Sequence, residues 1–178
     1  MALLAETLVD EWLNRKGFFT MRGLKHGVHE IDLLGIRLEE NMHYAKHVEV
    51  QVSLRPIGYI APLLPELVVG FAKSRTSAKK RTREMIRPCV EAWIEKKFSS
   101  LEKCRVRNLK WGNCDWQYIF VHGVVKDEFE LEVMRDNGIE TIPLFNILQD
   151  LKHSPGSVTG GAGTDFAELI EYFNESSR

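Results

Sequence analysis

The sequence predicts an α/β fold: one mixed central sheet with helices on both faces. Three observations predict it. An amphipathic helical stretch opens the chain, three β-rich runs with short connections follow, and a nearly continuous apolar run at 116–125 comes after a long helical region. The short connections make the first three strands an antiparallel meander. The later apolar run reads as a central strand covered on both faces.

In the first segment, 2–15, Leu4, Leu8, Trp12 and Leu13 recur at helical spacing, while Glu6, Asp10 and Glu11 fall outside that stripe. Gly17 ends this helix. The runs 17–24, 28–38 and 43–54 are parted by Lys25-His26-Gly27 and by 39–42, which are turn-length breaks. Beyond Pro56, Pro62 and Pro65, Leu67 and Phe71 begin a helical stretch. Ile86, Val90, Trp93, Ile94 and Leu101 mark one face of a longer helix, which Pro88 is expected to kink or restart. A helix at 128–136, a short strand near 139–144 and a helix at 145–152 complete the order α-β-β-β-α-β-α-β-α. Residues 153–164 concentrate Gly, Ser and Pro and read as a linker, with a last helix at 165–174 in the tail 165–178. The expected organisation is therefore a domain over 1–152, the linker 153–164 and a helical tail.

Composition supports one domain: 178 residues, 44% hydrophobic and 28% charged. No run of about 18 apolar residues appears, and the acidic start does not read as a secretion signal or transit peptide, so a cytoplasmic address is expected. Three cysteines without a C-x-x-C argue for reduced thiols over a disulfide framework or zinc site. The overall charge of −1 conceals a strong asymmetry. Residues 73–110 carry 13 basic and 4 acidic side chains, whereas 111–178 carry 4 and 12. The basic middle suits a polyanion.

The chemistry lies in the second and third strands. Val48, Val50 and Val52 share one parity, and His47, Glu49, Gln51 and Ser53 share the other, so the valines should enter the core and the polar set should face a cleft. In the second strand Glu30 and Asp32 share a side. A turn centred between Glu40 and Asn41 places Asp32 directly opposite Glu49. Like charges across a strand pair destabilise a sheet, so the arrangement requires a proton, a basic neighbour or a cation. A single carboxylate on a sheet surface is ordinary; two in register argue for a site. A hard divalent cation is the economical solution, held by Asp32, Glu49 and the carbonyl of Val50 with several waters, as suits Mg²⁺ or Mn²⁺. Such an ion polarises a phosphate oxygen and activates water for in-line attack.

The first helix, the strand E-I-D-L-L-G at 30–35 and the strand H-V-E-V-Q-V-S at 47–53 resemble the core of the PD-(D/E)XK, or restriction-endonuclease-like, nuclease superfamily. The resemblance covers roughly residues 2–125. It implies an α-β-β-β-α-β core and a metal-dependent phosphodiesterase in which Asp32 and Glu49 hold the cation. Gln51 then occupies the position usually taken by a catalytic lysine, and Glu6 corresponds to a first-helix carboxylate that some members place near the metal. Two departures stand out. Ile31 precedes Asp32 where the motif has proline, and Gln51 replaces the lysine, giving the E-x-Q variant. A relocated lysine would compensate. Lys46 has the wrong parity, whereas Lys25, Lys73 or Lys79 are placed to reach from neighbouring elements.

The expected partner is DNA, gripped by a basic helix over 73–87 that carries Lys73, Arg75, Lys79, Lys80, Arg81, Arg83 and Arg87. Lys79, Arg83 and Arg87 would form an i, i+4, i+8 row whose mutual repulsion phosphates would relieve. Arg105, Arg107 and Lys110 extend the stripe, and Trp111 and Trp116 are candidates for base stacking. His26, His29, His43 and His47 lie near the meander without a recognised metal spacing. Three functions follow from the sequence: a Mg²⁺- or Mn²⁺-dependent endonuclease acting on DNA, a catalytically inactive nucleic-acid-binding module of the same fold, or a protein-interaction domain whose basic middle docks an acidic surface. A homodimer would suit cutting of both strands of a duplex, although no heptad pattern argues for one.

Overall fold

The structure is a computed structural model that describes residues 2–40, 42–53, 55–69, 74–77, 79–112 and 114–153. It is α/β, with a five-stranded mixed sheet in the order β1-β2-β3-β4-β5. Helix α1 (Ala2–Arg15) leads into strands β1 (Phe19–His26), β2 (His29–Glu39) and β3 (Met42–Gln51), which form the antiparallel meander. Strand β4 (Trp116–His122) pairs parallel to β3, and β5 (Ile139–Pro143) pairs parallel to β4. Between β3 and β4 run α2 (Pro65–Val68), α3 (Arg83–Ile94), a π-helical turn (Glu95–Ser99) and α4 (Leu101–Trp111). Helix α5 (Phe129–Asp136) connects β4 to β5, and α6 (Leu144–His153) follows β5.

Two apolar layers hold the sheet. Ala5, Leu8, Val9, Trp12 and Leu13 of α1 and Ile147 and Leu151 of α6 pack on Leu33, Val48, Val50, Ile119 and Val121. The opposite layer joins α3, the π-helical turn and α5 through Val90, Trp93, Phe98, Phe120, Leu131 and Met134. Both faces of the inner strands are thus covered, as parallel pairing requires. Helix α1 ends at Gly17, whose φ of +80° is a left-handed conformation that glycine accepts without a Cβ penalty. Glu11, expected outside the α1 stripe, is instead buried, where Arg15 Nε lies 2.7 Å from its carboxylate and Arg15 Nη1 also donates to Leu151 O.

Three expectations about the helical region are corrected. Helix α3 starts only at Arg83, after Thr82, so Arg75, Lys79 and Lys80 lie on irregular backbone and the Lys79–Arg83–Arg87 helical row does not form. Pro88 stands inside α3 without ending it; its missing N–H forgoes one ladder bond, and Ile86, Cys89, Val90, Trp93 and Ile94 keep the helix buried. The expected single long helix is instead interrupted by the π-helical turn and by Ser100, whose extended backbone and side-chain bond to Lys103 N begin α4. Lys73, Phe71, the linker from 154 onward and the helix expected at 165–174 lie outside the described residues.

Candidate active site

Strands β2 and β3 pair in the expected register, with Leu33 opposite Val48 and Glu39 opposite Met42. The recorded ladder stops at Leu33–Val48, so Asp32 and Glu49 flank the point where the two strands part. There the Asp32 side chain takes over from the backbone: its Oδ2 accepts the Val50 N–H at 2.7 Å. In an extended strand a residue's N–H and C=O lie along the same edge, so the Val50 carbonyl also faces the Asp32 side. On the other flank the β1–β2 ladder passes from Arg22–Leu33 to Leu24–Ile31, with Gly23 at φ +59° beside Asp32. The pairing on both sides of Asp32 is therefore loosened, which lets its carboxylate turn to the strand end.

Glu49 is 1% exposed and is surrounded by cations. Lys97 Nζ lies 2.6 Å from Oε2, Lys103 Nζ lies 2.5 Å from Oε1, and His47 Nε2 lies 3.0 Å from Oε1. Burial by itself would raise the Glu49 pKa, but His47, Lys97 and Lys103 together hold it at about 2. Lys103 Nζ also donates to the backbone carbonyl of Glu30. Burial brings His47 down to about 4, so it is neutral at pH 7. Its hydrogen bonds then define the tautomer: Nε2–H donates to Glu49, and Nδ1 accepts from Arg107 Nη1 at 2.9 Å. With both nitrogens engaged and no exposed surface, His47 serves as a buried support for Glu49.

Asp32 has the opposite environment. Burial, the neighbouring Glu49 charge and the more weakly felt Glu6 raise its pKa to about 6, against lowering by the Val50 N–H and Lys97. Glu6 on α1 therefore contributes to the same field, as the smallest of its causes. The Glu30 carboxylate pairs with Lys25, its cross-strand partner, at 3.6 Å, and its charge is also felt at Lys97.

The polar parity of β3 does not produce one open face. His47 and Glu49 are sealed beneath the π-helical turn and α4, because Lys97, Lys103 and Arg107 supply the charge and hydrogen bonds that let them be buried. Of the four polar side chains expected to face a cleft, Gln51 lines a cavity of about 670 Å³ together with Lys97, and Ser53, just past β3, lines a separate one. The lysine beside Gln51 at this cavity is Lys97; neither Lys25 nor Lys79 lines it. Lys46 also points elsewhere, donating to Gln117 Oε1 at 2.8 Å. The residues that sequence reasoning missed are Lys97 and Lys103. One signal for Lys97 was present: it falls four residues after Trp93 and three after Ile94, so a lysine occupies a position on the buried face of the helix.

The basic surface divides. Arg75 stands at the cavity, where its Nε donates to Leu63 O at 2.7 Å, and Lys79 and Lys80 are exposed beside it in sequence. Arg83 and Arg87 do not share that wall. At about 100° per residue they lie on a different side of α3 from Cys89, Ala92 and Trp93, which line the cavity. They pack against α5 instead, with Arg83 4.8 Å from the centre of the Phe129 ring and Arg87 3.6 Å from Asp136. Arg107, expected to extend a phosphate-binding stripe, is 3% exposed and donates to Phe98 O and Tyr118 OH as well as His47. Trp111 and Trp116 pack against each other, with ring centres 6.3 Å apart, beside the small cluster of Leu24, Ile31, Leu34 and Val106.

As a metal centre the donor set is lean. Among the described residues no group of three or more His, Cys, Asp and Glu side chains converges. Asp32, Glu49 and a backbone carbonyl nevertheless fit an ion that prefers oxygen and retains much of its hydration. Asp32 carries the negative field such an ion would relieve, and among the described residues no hydrogen bond engages its Oδ1 beside the Oδ2 used by Val50 N–H. Lys97, with its side chain 32% exposed, is the movable member of the cluster, whereas Lys103 is 4% exposed.

No protein-family model and no curated protein matches the sequence. Among solved structures, the chain is similar to AF1548, a protein of unknown function, at 14% identity and a TM-score of 0.43. That similarity covers 80% of this chain and spans 58% of the length of the other.

Proposed function

We propose that this protein is a Mg²⁺- or Mn²⁺-dependent endonuclease that hydrolyses phosphodiester bonds in DNA, in the manner of the PD-(D/E)XK superfamily it resembles. The observation that carries the reading is the meeting of Asp32 and Glu49 where β2 and β3 separate, with the Lys97 ammonium 2.6 Å from Glu49. Asp32, Glu49 and the Val50 carbonyl would hold the ion, with Glu6 adding negative field from α1. When bound, the ion would supply Lewis-acid polarisation of the phosphate and a more acidic water.

The protein's own groups then have distinct tasks. Lys97 stands where a strand-borne lysine would otherwise act. Released from Glu49 Oε2, it offers a cation to a non-bridging phosphate oxygen or orients the attacking water. Gln51 has both a donor and an acceptor at the cavity wall and positions the same water or the phosphate. Lys103 and His47 stay on Glu49 Oε1 and keep that carboxylate ionised and aimed.

A second reading has its own support. Both Glu49 oxygens already face protein cations, so the fold is electrically satisfied without a metal. A non-catalytic nucleic-acid-binding module would look the same. The third reading, an interaction domain, draws on the pairing of the basic middle with the acidic last third, for which Arg87–Asp136 is an instance.

Cleavage of supercoiled and linear DNA with added Mg²⁺ or Mn²⁺ separates these. The endonuclease reading expects cleavage by the wild type, loss of at least about a hundredfold in rate for Asp32→Ala, and a similar loss for Lys97→Met. In calorimetric titration with Mn²⁺, Asp32→Ala should lose the binding heat that Lys97→Met keeps. Equal behaviour of wild type and Asp32→Ala on every substrate would end the catalytic assignment.

A further inference from the structure

The cavity beside Gln51 and Lys97 has a chemistry of its own. Among the described residues, Arg75, Arg81, Lys96 and Lys97 line it and no carboxylate does. Its remaining wall is mostly apolar, formed by Tyr59, Ile60, Leu64 and Trp93, with the small polar side chains of Thr76 and Ser77 at one side. Its volume of about 670 Å³ lies in the range of small-molecule sites, roughly 300–1,000 Å³.

The walls are held in place at some cost. Irregular backbone at 57–64, 74–77 and 79–82 forms much of the cavity, and irregular backbone needs fixed partners to keep a concave shape. Glu130, 2% exposed, reaches from α5 to accept the Ile60 and Ala61 N–H groups at 2.6 and 3.0 Å. Arg81, 5% exposed, donates to Ala61 O at 2.7 Å and to Ser77 O at 3.3 Å, and its guanidinium lies 3.9 Å from the centre of the Tyr59 ring. The segments are also joined directly, with Leu63 N donating to Arg75 O at 2.8 Å. Arg81 Nε, also buried, has no hydrogen-bond partner among the described residues. Two buried charges thus brace a cationic, partly apolar hollow that shares Gln51 and Lys97 with the carboxylate centre.

From this geometry we infer that the cavity binds one unstacked nucleotide of a single DNA strand, its phosphate among the basic side chains and its base against the apolar wall. The inference deepens the nuclease reading by naming the form of substrate. A base inside a duplex is stacked and paired, so its faces are not available to the apolar side wall of this half-open cleft, whereas those of an unpaired base are. The endonuclease would accordingly act at single-stranded or frayed positions.

The test uses the full chain in the presence of a metal chelator, so that binding is read apart from cleavage. Deoxyadenosine 5′-monophosphate should bind at least about tenfold more tightly than either deoxyadenosine or inorganic phosphate. A short single-stranded oligonucleotide should displace it, and the matching duplex should do so at least about tenfold less well. Arg75→Glu combined with Lys96→Glu, both exposed positions, should weaken nucleotide binding by about tenfold or more, with a thermal midpoint lowered only as far as the lost Arg75 Nε–Leu63 O bond lowers it in Arg75→Gln alone. Asp32→Ala should bind the nucleotide as the wild type does. Equal affinity for inorganic phosphate and the nucleotide, equal displacement by duplex, or indifference to the Arg75/Lys96 reversal would each overturn the inference. Displacement failing with single strand while the free nucleotide binds would overturn the strand as its source. Nucleotide binding without any metal-dependent cleavage would leave the cavity assignment standing and remove the nuclease reading.

Discussion

Asp32 and Glu49 neighbour each other but depend on pH in opposite senses. Asp32, raised from 3.8 to about 6, holds its proton more tightly in the folded state than in the unfolded chain. Folding stability attributable to it is therefore lost as pH rises from about 4 to 6 and stays lost above. Glu49, lowered from 4.5 to about 2, contributes stability that is present above 4.5 and lost as pH falls toward 2. Asp32→Asn, which can still accept the Val50 N–H, should raise the thermal midpoint near neutral pH, with the gain fading toward pH about 4. Glu49→Gln should destabilise by about 3–5 kcal/mol near neutral pH, since it strands Lys103 and weakens the hold on Lys97. Thermal melts of the two variants across pH check both signs. The wild-type profile alone would not, because His47, lowered from 6.5 to about 4, gains stability with rising pH in part of the window where Asp32 loses it. If the metal reading holds, proton and ion compete at Asp32, so Mn²⁺ affinity should fall as pH drops below about 6.

Among the elements, the π-helical turn determines where the chemistry sits. An extra residue per turn shifts the register after Ile94, and the turn carries Lys97 toward Glu49 while placing Phe98 in the core. Phe98 is fully buried, with its ring centre 5.0 Å from that of His47 and 6.0 Å from that of Trp93, and its carbonyl accepts Arg107. Phe98→Ala should cost about 3–5 kcal/mol in chemical denaturation and should also loosen the Lys97–Glu49 contact. The strands were more legible than this helix. The alternation in β2 and β3 and the length of their turn specify a register, and that register is observed. Helical periodicity from Ile86 to Leu101 could not reveal the π-helical turn, because apolar spacing describes a face and not the one-residue insertion that rotates it. The parity of β3 separated His47, Glu49 and Gln51 from the valines correctly, yet it could not say which of those polar groups would be roofed over.

At the scale of the whole molecule, the basic middle of the chain is not one surface. Part of it is internal machinery, as Arg81, Lys103 and Arg107 are all buried. Part faces α5, through Arg83 and Arg87. A third part, Arg75, Lys96 and Lys97, borders the cavity. Reversal of Arg75 and Lys96 should therefore reduce the salt dependence of single-strand binding by about one counterion for each phosphate contact removed, whereas reversal of Arg83 and Arg87 should leave that slope unchanged. Binding isotherms over a salt series decide between a local cationic cavity and a continuous basic stripe.

The sequence by itself determined the α/β class, the meander, its register and the adjacency of Asp32 to Glu49, because those properties follow from side-chain period and turn length over a few dozen residues. Tertiary structure alone decided which cations meet Glu49, which arginines are exposed and that a cavity opens beside Gln51. Those depend on the long crossover between the parallel strands β3 and β4, which brings Lys97 and Lys103 back over a strand some fifty residues earlier. Local periodicity carries no information about contacts across such a distance; they are selected by the packing of α3, the π-helical turn and α4 on the sheet.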